Sequence, residues 1–87
     1  MERSVVVASR VGLHARPASL FSQAAARAGV PIVLTSSRGS VNAASILGVL
    51  SLGIDHGEKV TLASEAADAD SALDDLVAML QRDLDEE

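Results

Sequence analysis

A histidine and an arginine stand two residues apart near the start of the chain, directly before a stretch that predicts a helix. Residues 12–17 read Gly-Leu-His-Ala-Arg-Pro, and residues 18–28 are rich in alanine and other good helix formers. Pro17 suits the first helical position, because it has no N–H to leave unbonded and its φ is already helical. A proline pushes the preceding residue out of the α region, so we expect Arg16 at the cap or just outside the helix. Gly29 predicts the helix end.

This placement favours phosphate chemistry at His14. The first N–H groups of a helix lack partners and its macrodipole is positive there, so an anion is attracted to that end. Arg16 adds a planar fork of donors that suits phosphate oxygens. A neutral imidazole is also a nucleophile that needs no base to activate it. An ordinary surface histidine ahead of a helix is the simpler alternative, and the residue chemistry alone leaves both open.

Two stretches of the chain resemble the signatures of HPr, the histidine-containing phosphocarrier family of the bacterial phosphoenolpyruvate:sugar phosphotransferase system. Residues 12–18 are similar to the active-site motif of that family. Residues 45–53, which read Ser-Ile-Leu-Gly-Val-Leu-Ser-Leu-Gly, are similar to its second signature, which carries a regulatory serine. The two motifs are separated as in the family, and the resemblance runs nearly the whole length. Residues 1–87 are therefore expected to form one HPr-like phosphocarrier domain.

The resemblance implies that His14 carries a phosphoryl group. His14 would accept it on Nδ1 from the phosphohistidine of enzyme I, which is charged by phosphoenolpyruvate, and would pass it to a histidine of a sugar-specific EIIA component. Arg16 and the backbone N–H groups of Ala15 and Arg16 would hold the phosphoryl oxygens. The sequence contains no metal-ligand cluster, nucleotide-binding glycine loop or Ser-His-Asp set. We therefore expect a carrier with a covalent phosphohistidine intermediate and no cofactor, not an independent enzyme.

The resemblance also implies a surface that docks partner proteins. The matching positions are mainly apolar residues of two short helices, of which some must belong to the core: Leu20, Arg27, Ile46, Leu47, Leu50 and Leu52. Arg27 is expected near the site, where it would steer an acidic partner.

Ser45 matches the serine that a bifunctional HPr kinase/phosphorylase modifies in many Gram-positive relatives. An ordinary helix cap is the alternative for this serine. Ala44 precedes it where many kinase-regulated relatives carry a basic residue, which leaves regulation open.

Composition narrows the class of protein. The net charge of −5 argues against a nucleic-acid partner, because phosphate backbones require a basic face. The chain has no cysteine, which suits a reducing compartment. No apolar run approaches the ~20 residues that cross a bilayer, and the start does not resemble a signal peptide. We expect a cytoplasmic monomer with no membrane insertion.

Hydrophobic patterning predicts seven elements in the order βαββαβα. The predicted strands cover residues 4–9, 30–35, 40–43 and 59–64, and the second helix covers residues 46–52. Asp68 or Asp70 is expected to cap a last helix with an apolar core stripe made of Leu73, Leu76, Val77, Leu80 and Leu84. Short connections favour an α+β fold, an open-faced two-layer sandwich of a four-stranded antiparallel sheet with three helices on one face. The resemblance implies the same fold, and the pattern alone does not fix the strand order.

Two other classes of function stay open. The first is an HPr-like regulatory paralogue, which would act through protein binding in a nitrogen-related or dihydroxyacetone-kinase relay. The second is a non-catalytic binding module that keeps the fold. Relatives of that second kind usually lose the histidine, so the presence of His14 counts against it.

Overall fold

The computed structural model describes residues 1–82 and confirms the predicted order of elements. The elements are β1 (Glu2–Val6), α1 (Ala15–Arg27), β2 (Val33–Ser36), β3 (Gly39–Asn42), α2 (Ile46–Ser51), β4 (Lys59–Ala63) and α3 (Asp70–Leu80). All strand pairs are antiparallel, and the sheet has the order β1-β4-β2-β3. No helix within residues 1–82 is long and apolar enough to span a membrane.

The core lies between this sheet and the three helices. Alternate strand positions supply its sheet side, because successive side chains of a strand point to opposite faces. These positions are Val5, Leu34, Val60 and Leu62. The helices contribute the other side, namely Phe21, Val49, Leu73, Leu76 and Leu80. The open-faced two-layer sandwich is thereby confirmed, while Leu84 of the predicted stripe lies outside the described residues.

The opposite face of the sheet carries a row of hydroxyl groups. Ser4, Thr61, Thr35 and Ser40 are neighbours across the four strands. Thr35 and Ser40 lie 2.8 Å apart through their hydroxyl oxygens. Polar groups on this face agree with a sheet that is covered by helices on one side only.

The start of α3 differs from the prediction. Ala69 is the N-cap residue and provides no side-chain bond, so the expectation that Asp68 or Asp70 caps the helix is wrong. Asp70 is instead the first helical residue, and its carboxylate pairs with Arg3 at 2.9 Å. The carboxylate of Asp70, a predicted cap, thus forms an ion pair with a residue distant in the sequence instead of bonding to the helix N-terminus.

Ser45 caps α2 as predicted. Its Oγ accepts a hydrogen bond from the N–H of Gly48 at 3.1 Å. The Oδ1 of Asn42 accepts from the N–H of Ala44 at 2.9 Å and so closes the preceding turn. At the other end of α2, the guanidinium of Arg38 donates to the carbonyl of Leu52. Side chains from outside the helix therefore satisfy backbone groups at both of its ends.

Candidate functional site

His14 is the N-cap residue of α1 and not simply a residue of the preceding loop. Its backbone is extended (φ −124°, ψ 159°), and the helix begins at Ala15. The expectation that Pro17 opens the helix and holds Arg16 outside it is therefore wrong. Ala15 has a φ of +49°, a left-handed conformation that costs about 1–2 kcal/mol for a residue with a Cβ. This turn at Ala15 provides the change of direction into the helix and brings Arg16 into the first helical turn.

The beginning of α1 has the character of an anion site. The helix has 13 residues, and its first turn contains no acidic residue. Among the described residues, the His14 side chain makes no capping bond. The positive end of the macrodipole is thus not neutralised from within α1. The His14 side chain is 41% exposed, and Arg16 is exposed in the same turn. The structure thus brings the predicted nucleophile and the predicted phosphate ligand together.

The His14 ring contacts a residue that the sequence analysis did not single out. Nε2 of His14 lies 3.5 Å from Oδ1 of Asp55, which follows it by 41 residues. No local pattern marks Asp55, because its approach to His14 depends on the packing of two separate loops.

Backbone contacts hold these two loops together. The N–H of Leu13 donates to the carbonyl of Ile54 at 2.8 Å. Gly12 has a φ of +71°, and a Cβ at this position would fall 2.2 Å from the Ile54 carbonyl oxygen. His56 is exposed and places Nδ1 3.1 Å from the Ser9 carbonyl oxygen. Residues 9–13 and 54–58 therefore form one supporting unit beneath His14.

The predicted docking residues separate into exposed and buried groups. Leu47 on α2 is 78% exposed, while Ile46 and Leu50 are about half as exposed. Leu20 on α1 is half-buried, and α1 packs against α2. Leu52 is only 5% exposed, so the expectation that it docks a partner is corrected. Leu52 is the C-cap residue of α2, where the chain turns back into the core.

Arg27 lies at the far end of α1. It belongs to the last helical turn, about 18 Å along the axis from Ala15 at the usual helical rise. There it lines a groove between α1 and α3 together with Asp75 and Arg82. The expectation that Arg27 lies near His14 is therefore wrong. Its position complements the negative end of the helix macrodipole.

Metal chemistry has no evident ligand set in the part of the chain that the structure describes. No three histidine, cysteine, aspartate or glutamate side chains within residues 1–82 are grouped so that they could hold a metal ion. The site instead combines an exposed imidazole, an arginine and a helix N-terminus, an arrangement that can bind a phosphoryl group beside a nucleophilic nitrogen.

Comparison with known sequences places the chain among phosphocarriers. The family model described as the PTS HPr component phosphorylation site matches residues 1–82. A phosphocarrier protein HPr from Streptomyces coelicolor is 49% identical over 86 residues, which are 98% of this chain and 92% of the relative. An HPr-like protein Crh from Halalkalibacterium halodurans is 39% identical and covers 95% of this chain and 99% of its own. A phosphocarrier protein NPr from Shewanella violacea is 35% identical, with 99% and 94% covered.

Solved structures show the same fold. HPr from Thermoanaerobacter tengcongensis superposes with a TM-score of 0.91 at 37% identity, covering 100% of this chain and 98% of the other. HPr from Bacillus anthracis gives 0.88 at 41% identity, with 93% and 96% covered. Crh from Bacillus subtilis, described as a dimer with a swapping domain, gives 0.73 at 42% identity, with 88% of each chain covered.

Proposed function

The chain belongs to the HPr family of phosphocarriers, and from this premise we propose that His14 accepts a phosphoryl group from enzyme I and passes it to EIIA components for sugar uptake. The phosphoryl group originates from phosphoenolpyruvate. One observation carries the assignment: His14, whose imidazole is exposed, is the N-cap residue of a 13-residue helix whose first turn contains Arg16 and no acidic residue within the described chain. The carrier nitrogen and the groups that hold the phosphoryl oxygens thus lie within one turn of chain.

Positioning supplies most of the chemistry in this proposal. Phosphoryl transfer passes through a loose transition state, so alignment and charge stabilisation matter more than covalent assistance. Arg16 and the backbone N–H groups of Ala15 and Arg16 hold the phosphoryl oxygens while His14 forms the new N–P bond. The protein is then a carrier with a covalent phosphohistidine intermediate and not an independent catalyst.

The docking face consists of Leu20, Ile46, Leu47 and Leu50, which leave apolar surface exposed or half-exposed on α1 and α2. A carrier must release each partner after transfer, so we propose small and transient interfaces with enzyme I and EIIA. We further propose a cytoplasmic monomer. Crh of Bacillus subtilis and an HPr of Thermoanaerobacter tengcongensis are described as dimers, so the mass of this chain in solution is to be measured alongside.

A regulatory paralogue is the second candidate function. It is favoured by the Crh and NPr proteins among the relatives, at 39% and 35% identity. In that case the chain would act through protein binding in a nitrogen-related or dihydroxyacetone-kinase relay, and an HPr kinase/phosphorylase would modify Ser45.

Labelling with enzyme I tests the proposal directly. We expect one acid-labile phosphoryl group on His14 after incubation with enzyme I and labelled phosphoenolpyruvate, detected by mass spectrometry under neutral conditions. His14→Ala should abolish the label, because only His14 lies at the helix start with Arg16 beside it. His56→Gln is the matched control and should be labelled as the wild type, since the His56 ring is engaged with the Ser9 carbonyl.

Substantial label on the His14→Ala protein would overturn the assignment of the carrier residue. Labelling by a nitrogen-branch enzyme I, with none by the sugar-branch enzyme, would favour the regulatory paralogue instead.

A further inference from the structure

We propose that Asp55 is a positioning residue for phosphoryl transfer at His14, an inference that rests on the proposed function. The carboxylate accepts a hydrogen bond from Nε2–H of His14, across the 3.5 Å that separate Nε2 from Oδ1. A histidine that carries its proton on Nε2 has its lone pair on Nδ1. Asp55 thereby selects the nitrogen that attacks phosphorus and holds the plane of the ring. The same logic applies to carboxylates that orient catalytic and metal-binding histidines.

The backbone position of Asp55 is fixed by contacts of its neighbours, although the Asp55 side chain itself is exposed. The preceding residue, Ile54, is fully buried, and its carbonyl accepts the N–H of Leu13, the residue before His14. The N–H of Asp55 donates to Oε1 of Glu58 at 3.2 Å. The same oxygen of Glu58 lies 2.6 Å from Nη2 of Arg38, which comes from the turn between β2 and β3. Three separate contacts therefore hold the backbone at Asp55 where its carboxylate can reach the imidazole.

No other carboxylate contacts His14 from the described elements. The segment that contains His14 contributes Arg10 and Arg16, which are cationic. The 54–58 loop contributes His56, whose Nδ1 faces the Ser9 carbonyl, and Glu58, which pairs with Arg38. Helix α2 (Ile46–Ser51) contains no charged residue. Asp55 is thus the anionic group of residues 1–82 that is placed to stabilise positive charge on the ring.

The transfer step creates that positive charge. The Nδ1 lone pair of His14 forms a bond to phosphorus, while the bond from phosphorus to the donor nitrogen breaks and its electron pair returns to the donor. The proton on Nε2 stays in place, so the phosphorylated ring is cationic until that proton leaves. Asp55 lies on the Nε2 side of the ring, and the transferred phosphoryl group is bonded to Nδ1. The carboxylate therefore stabilises the ring charge while it faces away from the phosphoryl oxygens.

Chemical phosphorylation separates this proposal from the function itself. Phosphoramidate phosphorylates histidine without enzyme I, and NMR resolves the signals of phospho-His14 from those of phospho-His56. We would measure the hydrolysis of phospho-His14 against pH, since hydrolysis is fast with the Nε2 proton present and slow after its loss. Asp55→Asn should move the fall in rate to lower pH, because the neutral amide no longer stabilises the protonated ring. Asp55→Glu, which keeps the charge, should give a profile closer to that of the wild type than Asp55→Asn does.

Asp75→Asn is the matched control, because it removes the same charge from an exposed position in the groove between α1 and α3. Its hydrolysis profile should coincide with that of the wild type. With enzyme I, Asp55→Asn should lower kcat/KM for phosphorylation about two- to fivefold, as expected for an exposed charge pair. An unshifted Asp55→Asn profile, or an equal shift in Asp75→Asn, would overturn the role of Asp55. Absence of labelling of the wild type by enzyme I would instead count against the proposed function, while the chemical experiment still decides on Asp55.

Discussion

At the level of single residues, Gly12 lies where the backbone of the loop before α1 meets the backbone of Ile54 and Asp55. A Cβ on Gly12 would fall 2.2 Å from the Ile54 carbonyl oxygen and 2.7 Å from Cα of Asp55. Both atoms belong to backbone, which cannot swing aside as a flexible side chain would. The glycine therefore sets the distance between the two loops that bring His14 and Asp55 together.

Gly29 provides a matched comparison for Gly12. Both residues have positive φ, +71° and +76°, but nothing lies within 4 Å of a Cβ on Gly29. Gly29→Ala should therefore cost only the conformational penalty of about 1–2 kcal/mol in the free energy of unfolding. Gly12→Ala should cost about 1–3 kcal/mol more, because overpacking against the backbone is added. Urea denaturation measures both values. Equal losses would contradict the close approach of the two loops.

At the level of elements, α2 has only six residues, and its first turn combines a cap with apolar surface. Ser45 caps it, and the next two residues, Ile46 and Leu47, are exposed. The capping and docking roles therefore lie side by side. A negative charge at Ser45 would suit the positive end of the helix macrodipole. It would also make it harder to remove water from Ile46 and Leu47 when a partner docks.

Ser45 variants separate these two roles. Ser45→Asp should leave the melting temperature unchanged or slightly raised, since aspartate also caps helices and its charge suits the helix start. It should slow the phosphorylation of His14 by enzyme I at sub-saturating concentration, because docking weakens. Ser45→Ala should lose about 0.5–2 kcal/mol with the cap and keep near-normal transfer. Melting curves and initial rates decide the matter. A normal rate for Ser45→Asp would leave Ser45 with a capping role only.

Residue types and spacing predicted helix ends correctly where the capping contact is made between residues close in sequence. Ser45 has both the type and the spacing of a cap, and the N–H that it accepts is three residues away. The same reasoning failed at Asp70, because that carboxylate pairs with Arg3, which is 67 residues distant. It also failed at Leu52, which reads as one more leucine of an amphipathic helix but lies where the chain turns into the core. Asp55 went unrecognised for a similar reason, since its contact with His14 exists only after the loops have packed.

At the level of the whole molecule, the strand order is the feature that the sequence pattern did not predict. Hairpin logic places β2 beside β3, and the structure confirms this pair. The order β1-β4-β2-β3 also requires β4 to enter between β1 and β2, through long-range pairs such as Val5 with Val60 and Leu34 with Leu62. Several arrangements would bury the same apolar alternation, so the choice depends on how the three helices fit over the sheet.

Arg3 connects the first strand with the last helix through ion pairs. Its guanidinium lies 2.9 Å from Oδ1 of Asp70 and 3.1 Å from Oδ1 of Asp74, so β1 is tied to the first turns of α3. The hydrogen bonds that the guanidinium donates to Asp74 and Asp70 raise the pKa of Arg3 above its usual value. A raised pKa means that the stabilisation by this arginine is present at lower pH and is lost only as pH rises through the folded-state value. Because that loss lies far above neutral pH, salt is the variable that tests the pair.

Arg3→Gln and Lys59→Gln form a matched pair of variants for this test. Each removes one positive charge, from β1 in the first case and from the neighbouring strand β4 in the second, so the effect on net charge is the same. At low salt, Arg3→Gln should lower the melting temperature more than Lys59→Gln, because only Arg3 pairs with α3. At 1 M salt the Debye length is about 3 Å, and the difference between the two variants should shrink. Between pH 7 and pH 9 the difference should stay constant, since Arg3 remains protonated throughout. A difference that is insensitive to salt would assign the effect to packing of the arginine side chain against α3 and not to its charge.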